Sequence, residues 1–297
     1  MEYIILDLEW DSVYFIPEKR FVNQILQIGA VKLDSDFKLI DTFEATIRSS
    51  VSNRVSSRFT KLTGITKEKM LSGVPLKDAV EAYNRFAESG DVTMTWSTTD
   101  LYTIVENQKT LLKNETRFCF KSYLDLQKLV QGEMQQRGFD TKNQIALEAA
   151  ANIFGIDTVN FELHTALDDS LLCAELLKTC YNKAHFDALV RDTSASDFYA
   201  RLEFKAYPIS DINDKNIDKS SLEFVCPKCS ARATRLKKWK YHNRWFTAPF
   251  KCDACGYKFI GRVSFKKTFD SLQVKRRTTE FKVKEKKNEV QSLPETV

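Results

Sequence analysis

The sequence predicts an α/β protein: a mixed sheet flanked by helices, followed by a small cysteine-bearing module. Three observations carry this. Apolar runs with period-two alternation open the chain, helical spacings then alternate with further strands, and the chain changes character between Ser210 and Ser221. A chain of 297 residues has room for one sizeable core and a smaller unit.

Tyr3 to Trp10 reads as a first strand, Ile25 to Leu33 as a second and Leu39 to Ile47 as a third. Short turns between them give three antiparallel strands on one side of the sheet. Gly29, inside the second strand, either permits a close backbone approach or marks a bulge. Leu62-Thr63-Gly64-Ile65-Thr66 interrupts the pattern as a β-turn would, and Pro75 to Ala87 then has helical spacing with proline early. Asp91 to Trp96 is another strand, ending at Ser97-Thr98-Thr99-Asp100 before the helical pattern of Leu101 to Lys109. Phe118 to Leu126 is a short strand, while Gln144 to Phe154 and His164 to Leu177 are helices. Ser210 to Ser221 is polar and aperiodic. The expected organisation is a first domain over 1–205, a linker over 206–221 and a basic module with a basic tail over 222–297.

A 43% share of apolar and aromatic residues with 29% charged is ordinary for a soluble protein. No stretch approaches the roughly 18 apolar residues of a membrane span, and no basic-then-apolar leader opens the chain. No membrane partner is therefore expected, and the cytoplasm is the expected location. The net charge of +5 conceals a division. Residues 225–297 hold 19 Lys and Arg against 6 Asp and Glu, whereas residues 1–224 hold 26 against 34. An acidic body with a strongly basic end points to a polyanionic partner.

The seven cysteines divide likewise. Cys119, Cys173 and Cys180 lie among apolar neighbours and are expected in the core. Cys226-Pro227-Lys228-Cys229 and Cys252-Asp253-Ala254-Cys255 are two CxxC knuckles, the pattern of a tetrahedral structural Zn²⁺ site. The expected shape is a zinc ribbon, with strands at Leu222–Val225, around Trp239–Phe246 and at Tyr257–Phe265. Its apolar residues look too few to hold it together without the metal. Between the knuckles, Arg235, Lys237, Lys238, Trp239, Lys240, Tyr241, Arg244 and Trp245 interleave cations with flat rings, as single-stranded nucleic acid binding requires. A solvated basic face is the plain alternative, and part of this aromatic set must form the ribbon's own core.

Ile5-Leu6-Asp7-Leu8-Glu9-Trp10 places two carboxylates in a segment otherwise built for burial. On a strand, residues i and i+2 share a side, so Asp7 and Glu9 are neighbours. Either they lie on the solvated face of an edge strand, or a divalent cation sits between them with further oxygen ligands from elsewhere. Asp100 stands at the end of a strand, where open α/β sheets place ligands, although a lone Asp there also reads as a helix cap. His164, one of three histidines, lies five positions before Asp169 at the start of another helix. Asp168 and Asp169 are adjacent and point in different directions, so only one of them would serve a given metal.

Asp7-x-Glu9, Asp100 and His164-x-x-x-x-Asp169, in this order, resemble the DEDDh family of 3′-to-5′ exonucleases. That family includes ribonuclease T, the proofreading subunits of bacterial replicases and small-RNA-trimming enzymes. The words around the acids match as well: Ile28-Gly29-Ala30, Leu62-Thr63-Gly64-Ile65-Thr66 and His164-Thr165-Ala166-Leu167-Asp168-Asp169. The resemblance covers roughly residues 1–185, and the sequence departs from the pattern in Trp96-Ser97-Thr98-Thr99 before Asp100.

The resemblance implies a ribonuclease H-like sheet and two Mg²⁺ or Mn²⁺ ions held by Asp7, Glu9, Asp100 and Asp169, with Asp7 bridging both. Two such ions supply an activated nucleophile and a stabilised leaving oxygen. His164 would be the general base, with a metal-ligand role and a purely structural role as alternatives. Leu8, Glu9, Leu62, Thr63 and Ile65 would contact the 3′-terminal nucleotide. Without metal, the crowded acids are expected to loosen the site and make it acid-sensitive. The implied activity is release of nucleotides from the 3′ ends of single-stranded RNA or DNA. RNA is slightly preferred, because the first motif resembles the RNA-trimming relatives. Two other readings compete. One is a non-catalytic protein that binds nucleic acid through the basic ribbon. The other is a sequence-specific DNA-binding factor, which lacks a recognition helix here. No heptad marks an oligomer interface.

Overall fold

The computed structural model describes residues Met1–Phe281, so the end of the basic tail, 282–297, lies outside the described residues. Two compact units divide the chain at Leu202/Glu203.

The first unit is built on a seven-stranded mixed sheet: β1 Tyr3–Phe15, β2 Arg20–Leu33, β3 Leu39–Arg48, β4 Val74–Pro75, β5 Val92–Thr95, β6 Ser122–Asp125 and β7 Arg191–Asp192. Its order is β4-β3-β2-β1-β5-β6-β7. The opening three strands are antiparallel, as expected, while β5 and β6 run parallel to β1. The helices are α1 Ser57–Thr63, α2 Lys67–Leu71, α3 Leu76–Ala87, α4 Thr98–Thr110, α5 Leu126–Gln136, α6 Leu147–Ile153, α7 Ala166–Cys180, α8 Lys183–Leu189 and α9 Phe198–Glu203.

Alternation along β1 feeds two cores. Tyr3 and Ile5 pack with Leu129 of α5 and Leu176 and Leu177 of α7, while Ile4, Leu6 and Leu8 pack with Val80 and Tyr83 of α3 and Ile104 of α4. Asp7 and Glu9 continue the odd-numbered face, the side on which α7 lies.

The strands run farther than the sequence indicates. β1 and β2 extend past Trp10 and Ile25 as a hairpin that pairs as far as Phe15 and Arg20, because Asp11, Ser12 and Asn23 hold their ladder positions without apolar alternation. Of the three scattered cysteines, Cys173 and Cys180 are buried, but Cys119 is exposed in the segment before β6.

The second unit is also a β structure, with β8 Tyr207–Pro208, β9 Phe224–Val225, β10 Arg232–Arg235, β11 Lys240–His242, β12 Trp245–Cys252, β13 Lys258–Lys267 and β14 Leu272–Glu280. Its sheet runs β14-β13-β12-β10-β9, with β11 added to β12 and β8 to β13.

Two expectations change here. The segment 206–221 is part of this unit rather than a spacer: β8 pairs with β13, and Ile209 and Ile217 are buried beside Phe224, Phe250 and Phe265. The unit also has a substantial apolar core, including Phe246, Phe259 and Val263, so metal is not its only source of cohesion. Among the described residues, no helix is long and apolar enough to cross a membrane.

Candidate active site and cysteine cluster

Gly29 determines where α7 sits. It pairs with Asp7 in the ladder, and a methyl group added to it would run into the backbone of Ala166 and Leu167. The start of α7 therefore lies directly on β2, the close approach being one of the two readings of this glycine. Two hydrogen bonds fix the contact: Ala166 N–H donates to Gln27 Oε1 (3.2 Å), and Ser170 Oγ donates to the Gly29 carbonyl (3.1 Å). Gln27 is itself opposite Glu9. The helix that bears Asp169 is thus clamped against the two residues that face Asp7 and Glu9.

The loop entering α7 separates the adjacent acids by role. Thr165 caps the helix, its side chain accepting from Asp168 N–H, and Asp168 Oδ2 accepts from Glu162 N–H (2.8 Å). Asp169 instead accepts from the backbone N–H of His164 (3.4 Å). His164 is exposed and holds a left-handed backbone (φ 68°), a conformation that non-glycine residues adopt sparingly and that recurs at functional sites. Glu9, His164 and Asp169 offer ligand atoms that all lie within 4.8 Å of one another.

Asp100 approaches from α4. Ser97 caps this helix, so the cap reading of Asp100 does not hold. Asp100 is only 4% exposed, and its Oδ1 is buried with no hydrogen-bond partner.

All four acids stand above the ordinary carboxylate range. Burial first, then the charges of Asp100, Asp169 and Glu9, push the Asp7 carboxyl well above the usual carboxylate range. Burial and the charges of Asp169 and Asp100 push Glu9 up to about 8. Burial lifts Asp100 to about 7 against hydrogen bonds from backbone N–H groups, and lifts Asp169 to about 6 against the pull of His164. Among the described residues, no lysine or arginine is one of the groups that shift these four. A crowded, half-buried, all-oxygen donor set with an orphaned carboxylate oxygen fits hard divalent cations.

These shifts reverse the expected acid sensitivity. Each folded pKa lies above the unfolded value near 4, so the folded state binds more protons between those values. Without divalent ions the contribution of these four groups to stability is fully present below about pH 4 and is lost as pH rises through roughly 6 to 8. Protein freed of Mg²⁺ by dialysis, without a chelator that would attack the cysteine cluster, should melt at lower temperature at pH 8 than at pH 5. Added Mg²⁺ should raise the pH 8 value more. A melting temperature that climbs with pH in metal-free protein would contradict this electrostatic account.

The residues expected at the terminal nucleotide separate into two groups. Leu8 lies in the core beneath α3 and α4, and Ile65 is fully buried with Leu26, Phe59 and Met70. Thr63 is buried too, its hydroxyl donating to the Phe59 carbonyl (3.0 Å) and accepting from Ile65 N–H (3.2 Å). These three side chains are taken up by the structure, because α1 ends at Gly64 in a left-handed turn (φ 68°) that folds Thr63 and Ile65 inward. Leu62, half exposed, and Glu9 remain accessible.

In the second unit Cys226, Cys229, Cys252 and Cys255 converge, with all four sulfurs within 4.8 Å of one another. Sγ···Sγ distances of 3.4 to 3.7 Å are too long for disulfides. They match the edges, about 3.8 Å, of a tetrahedron with Zn–S legs of about 2.3 Å. Lys228 N–H donates to Cys226 Sγ and Cys255 N–H to Cys252 Sγ, as ligating thiolates require (both 3.4 Å). The donor set is compatible with zinc. Metal analysis should find one zinc per chain, and Cys252→Ser should lose it and lower the melting temperature of the second unit. Unchanged metal content in that variant would refute the assignment.

Of the residues expected to contact nucleic acid, Trp239 packs against Phe224 and Phe250 with its Nε1 buried. It therefore belongs to the core. Arg235, Lys237, Lys238, Lys240, Tyr241 and Arg244 are exposed, and Trp245 is partly so. Arg262, Lys275 and Arg277 lie beside Trp245, brought there by cross-strand pairing, and of these only Arg262 is missing from the basic residues that the sequence marks between and after the knuckles.

Comparison with known proteins agrees with the class that this fold and acid cluster define, a nuclease with a ribonuclease H-like sheet. The exonuclease family model RNase_T matches residues 5–177, and the chain belongs to that family. No curated protein matches by sequence. Among solved structures, cell-death related nuclease 4 (CRN-4) is 19% identical with a TM-score of 0.50, over 60% of this chain and 62% of that one. The nuclease domain of 3′hExo, a DEDDh family member bound to rAMP, is 18% identical with a TM-score of 0.51, over 60% and 90%. A 3′-exonuclease whose structure concerns 3′-end-specific recognition of a histone mRNA stem-loop is 16% identical with a TM-score of 0.52, over 66% and 91%. The chain thus spans about three-fifths of the length of CRN-4. These likenesses are of fold, and the fold is that of the DEDDh 3′-exonucleases.

Proposed function

We propose that this chain is a divalent-metal-dependent 3′-to-5′ exonuclease that releases nucleotides from single-stranded nucleic acid, with RNA as the preferred polymer. One observation carries the reading: four carboxylates from β1, α4 and α7 all stand above their ordinary range, the charge of Asp169 raising Asp7, Glu9 and Asp100, with no lysine or arginine of the described residues among the groups that shift them. Asp7, Glu9, Asp100 and Asp169 would hold the ions, and their oxygen donors favour Mg²⁺ or Mn²⁺. When bound, such ions supply the positive charge that a phosphodiester cleavage needs at both the attacking and the leaving oxygen.

The chain's own residues do the rest. His164, exposed beside Glu9 and Asp169, takes the proton of the attacking water on its imidazole. The bond from its N–H to Asp169 keeps it at the mouth of the site. Leu62 offers an exposed apolar surface to the terminal base, and the basic second unit attracts the phosphate chain. The preference for RNA draws support from a relative in fold, 3′hExo, solved with rAMP.

The test is a time course on 3′- and 5′-labelled single-stranded RNA and DNA with Mg²⁺, Mn²⁺ or neither. Stepwise loss from the 3′ end that requires metal, faster on RNA, is expected. Tight binding without shortening in any metal would instead leave a non-catalytic binding protein.

A further inference from the structure

The outer face of the second sheet is arranged in rows that the pairing register defines. Lys240 pairs with Thr247, Thr247 with Arg262, and Arg262 with Arg277, so one row crosses β11, β12, β13 and β14. Two residues along each strand, and therefore on the same side, stand His242, Trp245, Ser264 and Lys275. The intervening residues Phe246, Ala248, Val263 and Phe265 form the core on the other side. The Arg262 and Arg277 guanidiniums lie 5.3 and 5.2 Å from the Trp245 ring centroid, and Arg262 Nε is buried without a hydrogen-bond partner.

Two separate grooves flank this point, one lined by Arg262 and the other by Trp245. One, of about 460 Å³, is walled by Lys237, Lys238, Lys240 and Arg262 above Pro249 and Ile260. The other, of about 430 Å³, is walled by Arg244, Trp245, Lys266 and Lys275. Among the described residues, neither is lined by a carboxylate. A third cleft of the unit holds Arg232, Arg235 and Arg276 but shares its lining with Glu223 and Asp253, which weakens it as a polyanion site.

We propose that this outer face is a platform for single-stranded nucleic acid, on which one base stacks at Trp245 between Arg262 and Arg277 while phosphates follow the lysines of the two grooves. Charge complementarity selects a polyanion, and the ring selects a single strand, because a base within a duplex cannot leave its stack to lie on Trp245. The proposal rests on the reading that single strands are the substrate, and it adds a second place of contact on a different unit from the acids. It also assigns roles to Arg262, Lys275 and Arg277.

The experiment is fluorescence anisotropy of a long labelled oligouridylate with the full chain carrying Asp7→Ala. No cleavage is involved, so its outcome is independent of whether the exonuclease reading stands. Adding Trp245→Ala should weaken binding about fivefold or more, the lower end of what one lost base–aromatic stack costs, and Trp245→Phe should recover most of it. Lys275→Gln should lower the slope of log affinity against log salt by about 0.7. Arg277→Gln should weaken binding, whereas its neighbour Arg276, which lies over the Phe224 ring on the core side, should tolerate Arg276→Gln. Equal losses from both arginine variants would mean undirected charge attraction and would overturn the platform, as would undiminished affinity in Trp245→Ala.

Discussion

Asp7→Asn is expected to reduce metal-dependent nucleotide release at least about a thousandfold while raising the stability of the metal-free protein. The first half follows from the position of Asp7, half-buried beside the three other acids. Loss of a group that only supports a metal ligand already costs about 10- to 100-fold, and Asp7 would be a ligand itself. The second half follows from the sign of the electrostatics. Asp7 is held above its ordinary range by burial and by three neighbouring negative charges, so its ionised form opposes folding. A neutral amide of the same shape removes that opposition, and the gain should be larger at pH 8 than at pH 5. Activity and melting temperature measured on the same preparation decide the matter. Loss of activity together with a lower melting temperature would indicate damage to the fold and would remove Asp7 from the proposed metal site.

Gly29→Ala should be as damaging by an unrelated route. No unusual backbone angle is involved; the glycine is required because the α7 backbone occupies the space of a side chain. The added methyl must push α7 off β2, straining the bonds that Ala166 N–H and Ser170 Oγ make to that strand. Overpacking of this kind costs about 1–3 kcal/mol, and backbone as the obstacle places this case at the upper end. Asp169 rides on the displaced helix, so the Mg²⁺ concentration at half-maximal activity should rise along with the loss of stability. Urea unfolding and a metal titration measure the two effects. A variant that is destabilised yet keeps the parent's metal requirement would show that α7 and the acids are positioned independently.

How much of this was legible in the sequence depended on the range of the interaction concerned. Asp7, Glu9, Asp100, His164 and Asp169 could be singled out because strand alternation and strand-end or helix-start position are local properties. The four cysteines followed from spacing alone. The fates of Leu8, Thr63 and Ile65 did not, because no local rule says which face of a strand or turn a remote helix will cover. Ile209 and Ile217 are isolated apolar residues in a polar stretch, and their burial depends on β13 and on Phe224, contributed from farther along the chain. Trp239 and Trp245 belong to the same basic-aromatic run, yet one enters the core and the other faces outward. Arg262 and Arg277 reach Trp245 only through cross-strand pairing. The effect of pH on the acids was misjudged in sign for a similar reason: repulsion was foreseen, but its consequence depends on a depth of burial that sequence does not give.

The ladder between β1 and β2 slips by one residue where Glu9 faces Gln27 and Trp10 faces Ile25, leaving Leu26 without a partner. That surplus residue inserts among Phe59, Ile65 and Met70, beneath the turn that presents Leu62, while its neighbour Gln27 holds the start of α7. Two consecutive positions on one strand therefore anchor two separate lobes. Spacing, as much as residue identity, is then a requirement of this geometry. A chain shortened by Leu26 alone would have an unbroken ladder and every named acid, yet the lobe that carries Leu62 would have lost its foundation.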